Sequence, residues 1–287
     1  MISVVTPVYN GEKFIEACLF AVIEQGYHDV EHIIIDGGSS DRTVDIIKNF
    51  AQKYPRLRWI SEPDKGQSDA MNKGIKMANG EIIGVLNVDD FYEPNVLNRV
   101  SELFKTLPEP SFLVANCNIL DSEDRVSIVN KPGKLNLVDL IILRQSFPMN
   151  PSAYFYHKSL HEQVGLYTVD EHYMMDLEFI LKAVQSANVK YIDEIWGNHR
   201  QIPGTKTFTL KKNGRHSQYL LDFIDKQRRN LPLIYKLKLF PIRVNMKIRY
   251  FAKHPKNILP ALRHKINPAV ARVEDAASSR RPGVGFD

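Results

Sequence analysis

The sequence holds only two cysteines in 287 residues. Cys18 and Cys117 each sit in an apolar stretch, without metal-type spacing. That excludes a disulfide scaffold and a cysteine-ligated zinc site, and fits two unrelated buried thiols in a reducing cytoplasm. No stretch approaches about 20 uninterrupted apolar residues, which excludes a membrane-spanning helix. The opening MISVVTPVYN lacks a basic leader and a long apolar core, so it reads as a strand and not as a signal peptide. There is no internal repeat, and no low-complexity segment before AASSRRPGVG, so Asp275 to Asp287 is expected to be disordered. Acid is missing between Leu231 and Lys265, a segment with nine lysines and arginines. Setting those nine aside leaves 29 basic against 33 acidic residues, a net of −4. A mildly acidic body argues against a nucleic-acid grip.

What is present is ordinary for a globular protein, 44% hydrophobic and 25% charged. The first half alternates short apolar runs with amphipathic segments. Strands are predicted at Ser3–Val5, His32–Ile35, Arg58–Ile60 and Ile82–Leu86, and helices at Gly11–Gln25, Asp41–Lys53 and Gly66–Ala78. In the first helix Phe14, Ile15, Cys18, Leu19, Val22 and Ile23 share one face. Asp41 is expected to cap the second. Such a β-α-β series implies an α/β fold with a doubly wound, mostly parallel sheet and right-handed crossovers. Four polar loops then follow the strands: TPVYN, DGGSSD, SEPDKG and NVDDFY. Each alone is compatible with a simple turn; together, on one sheet edge, they describe a ligand crevice.

Beyond Pro94 helices are predicted at Val96–Phe104, Leu135–Leu143 and Leu177–Val184. Strands are predicted at Phe112–Ile119, Arg125–Asn130, Ala153–Tyr156 and Val189–Ile192. The organising stretch is GEIIGVLNVDDFYEP, Gly80 to Pro94. Its apolar run ends in Asn87, Val88, Asp89 and Asp90, as a buried parallel strand ends in its loop. Adjacent buried carboxylates repel, and usually need a cation or hydrogen-bond donors. A cap and turn before the next helix would place acids there equally well.

With SVVTPVYNG, IIIDGGSSDRTVDII, SEPDKGQSDAMNKGI, GEIIGVLNVDDFYEP and MMDLEFILKA in this order, the chain resembles family 2 glycosyltransferases of the GT-A fold, over Met1 to Gly204. The resemblance implies transfer of a sugar from a nucleoside-diphosphate sugar, with inversion and with Mg2+ or Mn2+. By position it implies that Thr6, Pro7 and Tyr9 line the nucleoside and that Asp36 accepts from the base, typically uracil. Gly37 and Gly38 would allow a close turn there. Asp64 and Asn72 would lie near the ribose and diphosphate, with Lys65 a weaker candidate. Asp89 and Asp90 match the metal motif, whose usual first acid is Asn87 here. Asp176 matches the base that takes the acceptor's proton; a plain helix N-cap is the competing reading, and Glu178 is the second candidate. In GNHRQIPGT, Arg200 would meet the diphosphate and His199 would assist the metal, although the common order there is Arg-x-His.

The expected organisation is a transferase domain over 1–230, with 1–94 holding the nucleotide and 95–230 the acceptor. A basic amphipathic helical extension over 231–274, interrupted at Pro241, and a tail over 275–287 would follow. The extension fits an anionic membrane surface where lipid-linked acceptors reside, or another subunit. The reading is thus a cytoplasmic enzyme at the membrane's cytosolic face, acting in surface-polysaccharide synthesis on a glycan or lipid-linked acceptor, with a UDP-sugar donor favoured. A nucleotidyltransferase and a catalytically silent nucleotide- or glycan-binding module are the rival readings.

Overall fold

A computed structural model describes residues 1–203, 208 and 216–253. The chain divides into two units, Met1–Arg229 and Asn230–Asp287. In the first, β1 (Ile2–Val8), β2 (Val30–Asp36), β3 (Leu57–Ser61) and β4 (Ile82–Val85) alternate with α1 (Ile15–Ile23), α2 (Thr43–Lys53) and α3 (Gln67–Met77). Their pairings β3-β2-β1-β4 are all parallel. Every residue of β1 and β4 is buried, as expected of parallel strands covered on both faces. Helix α1 divides its apolar face between two clusters. Ile15 and Leu19 pack with Ile34 and Ile47, while Cys18 and Val22 join Val4, Leu97 and Trp196.

The second half adds β5 (Phe91–Tyr92), α4 (Val96–Phe104), β6 (Ser111–Leu120), β7 (Val126–Asn130), α5 (Leu137–Ile141) and β8 (Tyr154–His157). After these come α6 (Leu160–Val164), α7 (Met175–Ser186), β9 (Asn188–Arg200) and α8 (His216–Asn230). Strand β8 runs antiparallel to both β4 and β6 and joins the halves into one sheet. Strand β9 lies parallel to β6 and antiparallel to β5. Its 13 residues far exceed the predicted Val189–Ile192. The remainder, DEIWGNHR, has weak strand propensity and is held by pairing with β6, a tertiary effect that overrides local preference.

Two local expectations are corrected. Helix α2 starts at Thr43 with Arg42 in the cap position; Asp41 stands one residue earlier and still accepts from the Thr43 amide at 3.0 Å. In the second unit α9 (Leu233–Lys253) runs through Pro241 without a break in the helix. The predicted tail at 275–287 lies outside the described residues.

Candidate active site

The four loops predicted to share an edge do converge. The first two are laced together: Asn10 N donates to Ser39 Oγ at 2.7 Å, Ser40 N to Asn10 Oδ1 at 2.9 Å, and Gly11 N to Thr43 Oγ1 at 2.9 Å. Asp36, fully buried at the end of β2, organises the second loop. Its carboxylate accepts from Gly38 N at 3.1 Å, Ser39 N at 3.0 Å, Ser61 Oγ at 2.7 Å and the Ser39 hydroxyl. With four donors on two oxygens, Asp36 shapes the loop and does not line the cleft. Gly37 lies directly against Asp64, where an added Cβ would meet Oδ2 at 2.5 Å, so a larger residue would displace that carboxylate. Asp64 in turn accepts from Gly66 N at 2.7 Å, just ahead of α3.

One cleft of about 860 Å3 is lined by Pro7, Tyr9, Asp64, Gln67, Asn87, Asp89, Asn150, Asp176 and His199, among others. Tyr9 is 65% exposed and offers a free ring face. Thr6 turns inward instead, bonded to His32 Nε2 at 2.9 Å, because successive side chains of a strand point to opposite faces. Asn72 also lies outside the cleft lining. Its amide clamps the backbone of Tyr167, donating to O at 2.8 Å and accepting from N at 2.9 Å. Ser68, one turn earlier on α3, donates to Met175 Sδ at 2.8 Å. Helix α3 thereby fastens the segment that leads into α7.

Asp90 is 1% exposed and is the hub of a polar knot. Its Oδ2 accepts from Asn87 Nδ2 at 2.9 Å and Asn150 Nδ2 at 2.6 Å. Its Oδ1 faces His199 Nδ1 and accepts from Arg200 N, both at 3.1 Å. Gln67 Nε2 reaches Asn87 Oδ1 at 2.9 Å, so Asn87, standing where an acid is common, both donates to and accepts within the knot. The expected pair of metal-binding acids therefore separates: Asp89 lines the cleft, while Asp90 holds the surrounding residues in place. Burial, with Asp90's charge adding to it, pushes the Asp89 carboxyl above the ordinary carboxylate range.

Asp176 sits in the first turn of α7, whose cap position is Met174, so it is not the N-cap. Burial raises its carboxyl to about 6, and the hydroxyl of Tyr154 on β8 opposes that rise by donating to Oδ1 at 3.3 Å. A carboxyl raised in this way ionises near neutral pH, a setting suited to taking a proton. Glu178 points elsewhere, bonded to Thr168 and Lys182. Arg200 is not among the residues that line the cleft, although its Nη1 donates to the Asp89 carbonyl at 3.2 Å. Its guanidinium forks onto Asp124 at 2.8 and 3.2 Å and lies 4.6 Å over the Phe91 ring. Sequence reasoning missed Tyr154, Asn150 and Gln67, which no motif marks and only the tertiary fold brings to these carboxylates.

Residues 3–144 match the profile of Glycosyl transferase family 2. The glycosyltransferase EpsJ of Bacillus subtilis is 28% identical over 221 residues, covering 72% of this chain and 63% of that protein. Residues 3–144 belong to glycosyltransferase family 2. A PGL/p-HBAD biosynthesis glycosyltransferase of Mycobacterium bovis is 29% identical over 216 residues, 74% of this chain and 81% of the relative. Among solved structures, S. aureus TarS 1-349 in complex with UDP-GlcNAc aligns with TM-score 0.59 at 16% identity, over 72% of this chain and 60% of its own. The mannosyltransferase PcManGT from Pyrobaculum calidifontis, in complex with GDP-Man and Mn2+, aligns with TM-score 0.63 at 16% identity, over 96% and 79%. The fold of this chain is accordingly the GT-A fold, a mixed α/β architecture. No helix among the described residues is long and apolar enough to cross a membrane.

Proposed function

We propose that this glycosyltransferase moves a sugar from a nucleoside-diphosphate sugar to an acceptor hydroxyl with inversion, using Asp176 as base. The observation that supports this most directly is that Asp89 and Asp176 line one cleft, both with carboxyls raised by burial. Pro7 and Tyr9 offer the nucleoside a ledge and a ring face, and Asp64 stands where the ribose would lie. Asp176 takes the acceptor proton as the acceptor oxygen bonds to the anomeric carbon. The carbon–oxygen bond to the diphosphate breaks, and the nucleoside diphosphate leaves with the electron pair. Tyr154 and the knot around Asp90 hold these groups in place.

A divalent cation fits the cleft through Asp89 and His199. Among the described residues no three His, Cys, Asp or Glu side chains are grouped to hold an ion by themselves. Such an ion would share oxygens of the donor diphosphate and keep its waters, the habit of Mg2+ and, by similar hardness, Mn2+. When bound it supplies neutralisation of the departing diphosphate. UDP-sugars are the first donors to test, on the likeness to a UDP-GlcNAc complex; the GDP-Man complex keeps guanosine in the panel.

The test is a thermal-shift panel of nucleotide sugars, with and without Mn2+, on wild type, Asp89→Asn and Asp176→Asn. One sugar nucleotide should stabilise the protein more with metal. Asp89→Asn should lose the metal increment, and Asp176→Asn should keep binding while losing transfer. Absence of any nucleotide-dependent shift would falsify the assignment.

The second unit supports contact with an anionic membrane surface, where surface-polysaccharide acceptors are carried. On α9 the exposed Leu233, Leu237, Phe240, Val244 and Ile248 fall within about 80° of arc at helical periodicity. Lys236, Lys238 and Arg249 are exposed on the same helix. Vesicles containing anionic lipid should bind the full chain in a salt-sensitive way and bind a chain ending at Leu231 less.

A further inference from the structure

The amide side chains that line the cleft are Gln67, Asn87, Asn130, Gln145 and Asn150. All but Gln67 have both ends engaged by the protein. Asn130 donates to Phe147 O at 3.1 Å and accepts from Met149 N at 2.9 Å. Gln145 donates to the carbonyls of Pro132 and Lys134 and accepts from Asn136 N. Asn150 spans Asp90 and Ser152 N, and Asn87 spans Asp90 and Gln67. Gln67 gives its Nε2 to Asn87, while its Oε1 has no partner among the described residues. Asp90 sets this polarity. A carboxylate surrounded by donors only accepts, so Asn87 turns Nδ2 to Asp90 and Oδ1 to Gln67, and Gln67 answers with its N–H. Its carbonyl is left as an unclaimed acceptor in the cleft lining. A carboxylate at position 87 could not donate to Asp90, so the amide there is what lets the relay run.

The first turn of α3 also fixes where this acceptor stands. Gln67 meets Asn87, just ahead of Asp89. Ser68, the next residue, donates to Met175 Sδ at 2.8 Å, beside Asp176. The ring of His172, on the segment leading to α7, is the nearest group to the position a Cβ on Gly66 would take, with Nδ1 at 3.8 Å. The turn thus touches the surroundings of both carboxylates. A sugar whose diphosphate departs at Asp89, and whose anomeric carbon meets a hydroxyl held by Asp176, lies between them.

We infer that Gln67 is a specificity-determining residue for the donor sugar. Its Oε1 accepts a hydrogen bond from one substituent of the transferred ring, a hydroxyl or an amide N–H, and Asn87 holds it in that sense. This assignment rests on the reading of Asp89 and Asp176 given above, since that reading places the sugar over α3. A donor without the substituent leaves the carbonyl unpaired, which is how a polar site rejects a near-isostere.

The test uses the full chain with Mn2+. Calorimetry compares UDP, UDP-glucose, UDP-galactose, UDP-N-acetylglucosamine, GDP and GDP-mannose. The tightest sugar nucleotide is then compared with its monodeoxy analogues, one for each ring substituent that carries a hydroxyl or amide. Loss of one substituent should weaken binding to wild type about three- to tenfold, the size of a neutral hydrogen bond. Gln67→Met, similar in length but without the carbonyl, should erase that penalty and leave those at other positions in place. Gln67→Glu, which retains an acceptor oxygen, should preserve it even though its charge weakens binding of every nucleotide. Such a cycle separates the contact from any general effect on the cleft. Penalties that all survive Gln67→Met, or equal binding of every analogue to wild type, overturn the assignment while the donor reading stands. A Gln67→Met loss of one size for the nucleoside diphosphate, the sugar nucleotide and all its analogues does the same, and makes Gln67 part of the frame. Failure of every nucleotide to bind overturns both readings together.

Discussion

The raised carboxyl of Asp176 makes a quantitative demand on stability. Its folded value of about 6 lies above the ordinary 3.8 because burial penalises the charge. A carboxyl raised on folding favours the folded state when protonated, so the penalty is absent well below the unfolded value and complete above the folded one. Linkage with these two values gives a cost of about 1 kcal/mol near pH 4.5 and about 3 kcal/mol near pH 8. Asp176→Asn removes the titration and keeps an acceptor oxygen for Tyr154. Any constant cost of the amide cancels when the variant is compared with wild type at two pH values. The variant should therefore gain about 2 kcal/mol on wild type between about pH 4.5 and 8, roughly 4–8 °C in Tm, measured without nucleotide or metal. Transfer should fall by about 10²- to 10⁴-fold. A stability difference that stays flat across the pH range would show that Asp176 is solvated in the native state and is not a tuned base.

Other outcomes follow from the same contacts. Tyr154→Phe removes the hydroxyl that favours the charged carboxylate, so the acidic limb of the kcat profile should move to higher pH; an unmoved limb assigns Tyr154 to packing alone. Asn72→Ala strands the N–H and C=O of Tyr167 and should cost about 1–3 kcal/mol in chemical denaturation, with kcat affected more than the donor KM. Arg200→Ala should change the donor KM by less than about threefold, because the guanidinium is spent on Asp124, the Phe91 ring and the Asp89 backbone carbonyl, none of them a donor-facing partner. A loss of about a hundredfold would mean that it swings into the cleft when donor binds.

The first half was legible because each strand is an apolar run that stops at a loop of Gly, Pro, Asp or Asn, and because both faces of the sheet are covered. The loops' convergence followed from the parallel order alone. Side-chain direction was harder to read. Thr6 and Asp36 stand at strand ends beside residues that do face the cleft, and which neighbour points inward depends on the pleat. Asp89 and Asp90 are adjacent in sequence, yet one faces the cleft and the other the knot, because Asn150 and His199 arrive from elsewhere to meet the second. The two-residue β5 and the short α6 fall below the length at which periodicity registers. Asn72 looked like a ligand-facing amide, and its partner lies 95 residues away.

The pairing of β9 with β6 and β5 has an evolutionary corollary. Since neighbours along an extended chain face opposite ways, only alternate residues of NHR can look inward, and here the imidazole does so while the guanidinium faces out. Inserting or deleting a single residue ahead of Asn198 would reverse that polarity, delivering a permanent positive charge to the interior and expelling a potential metal partner. The frame in which this strand is threaded therefore selects whether the cleft presents a fixed cation or a titratable ring to the proposed diphosphate, and drift between the two needs no change of residue type at all.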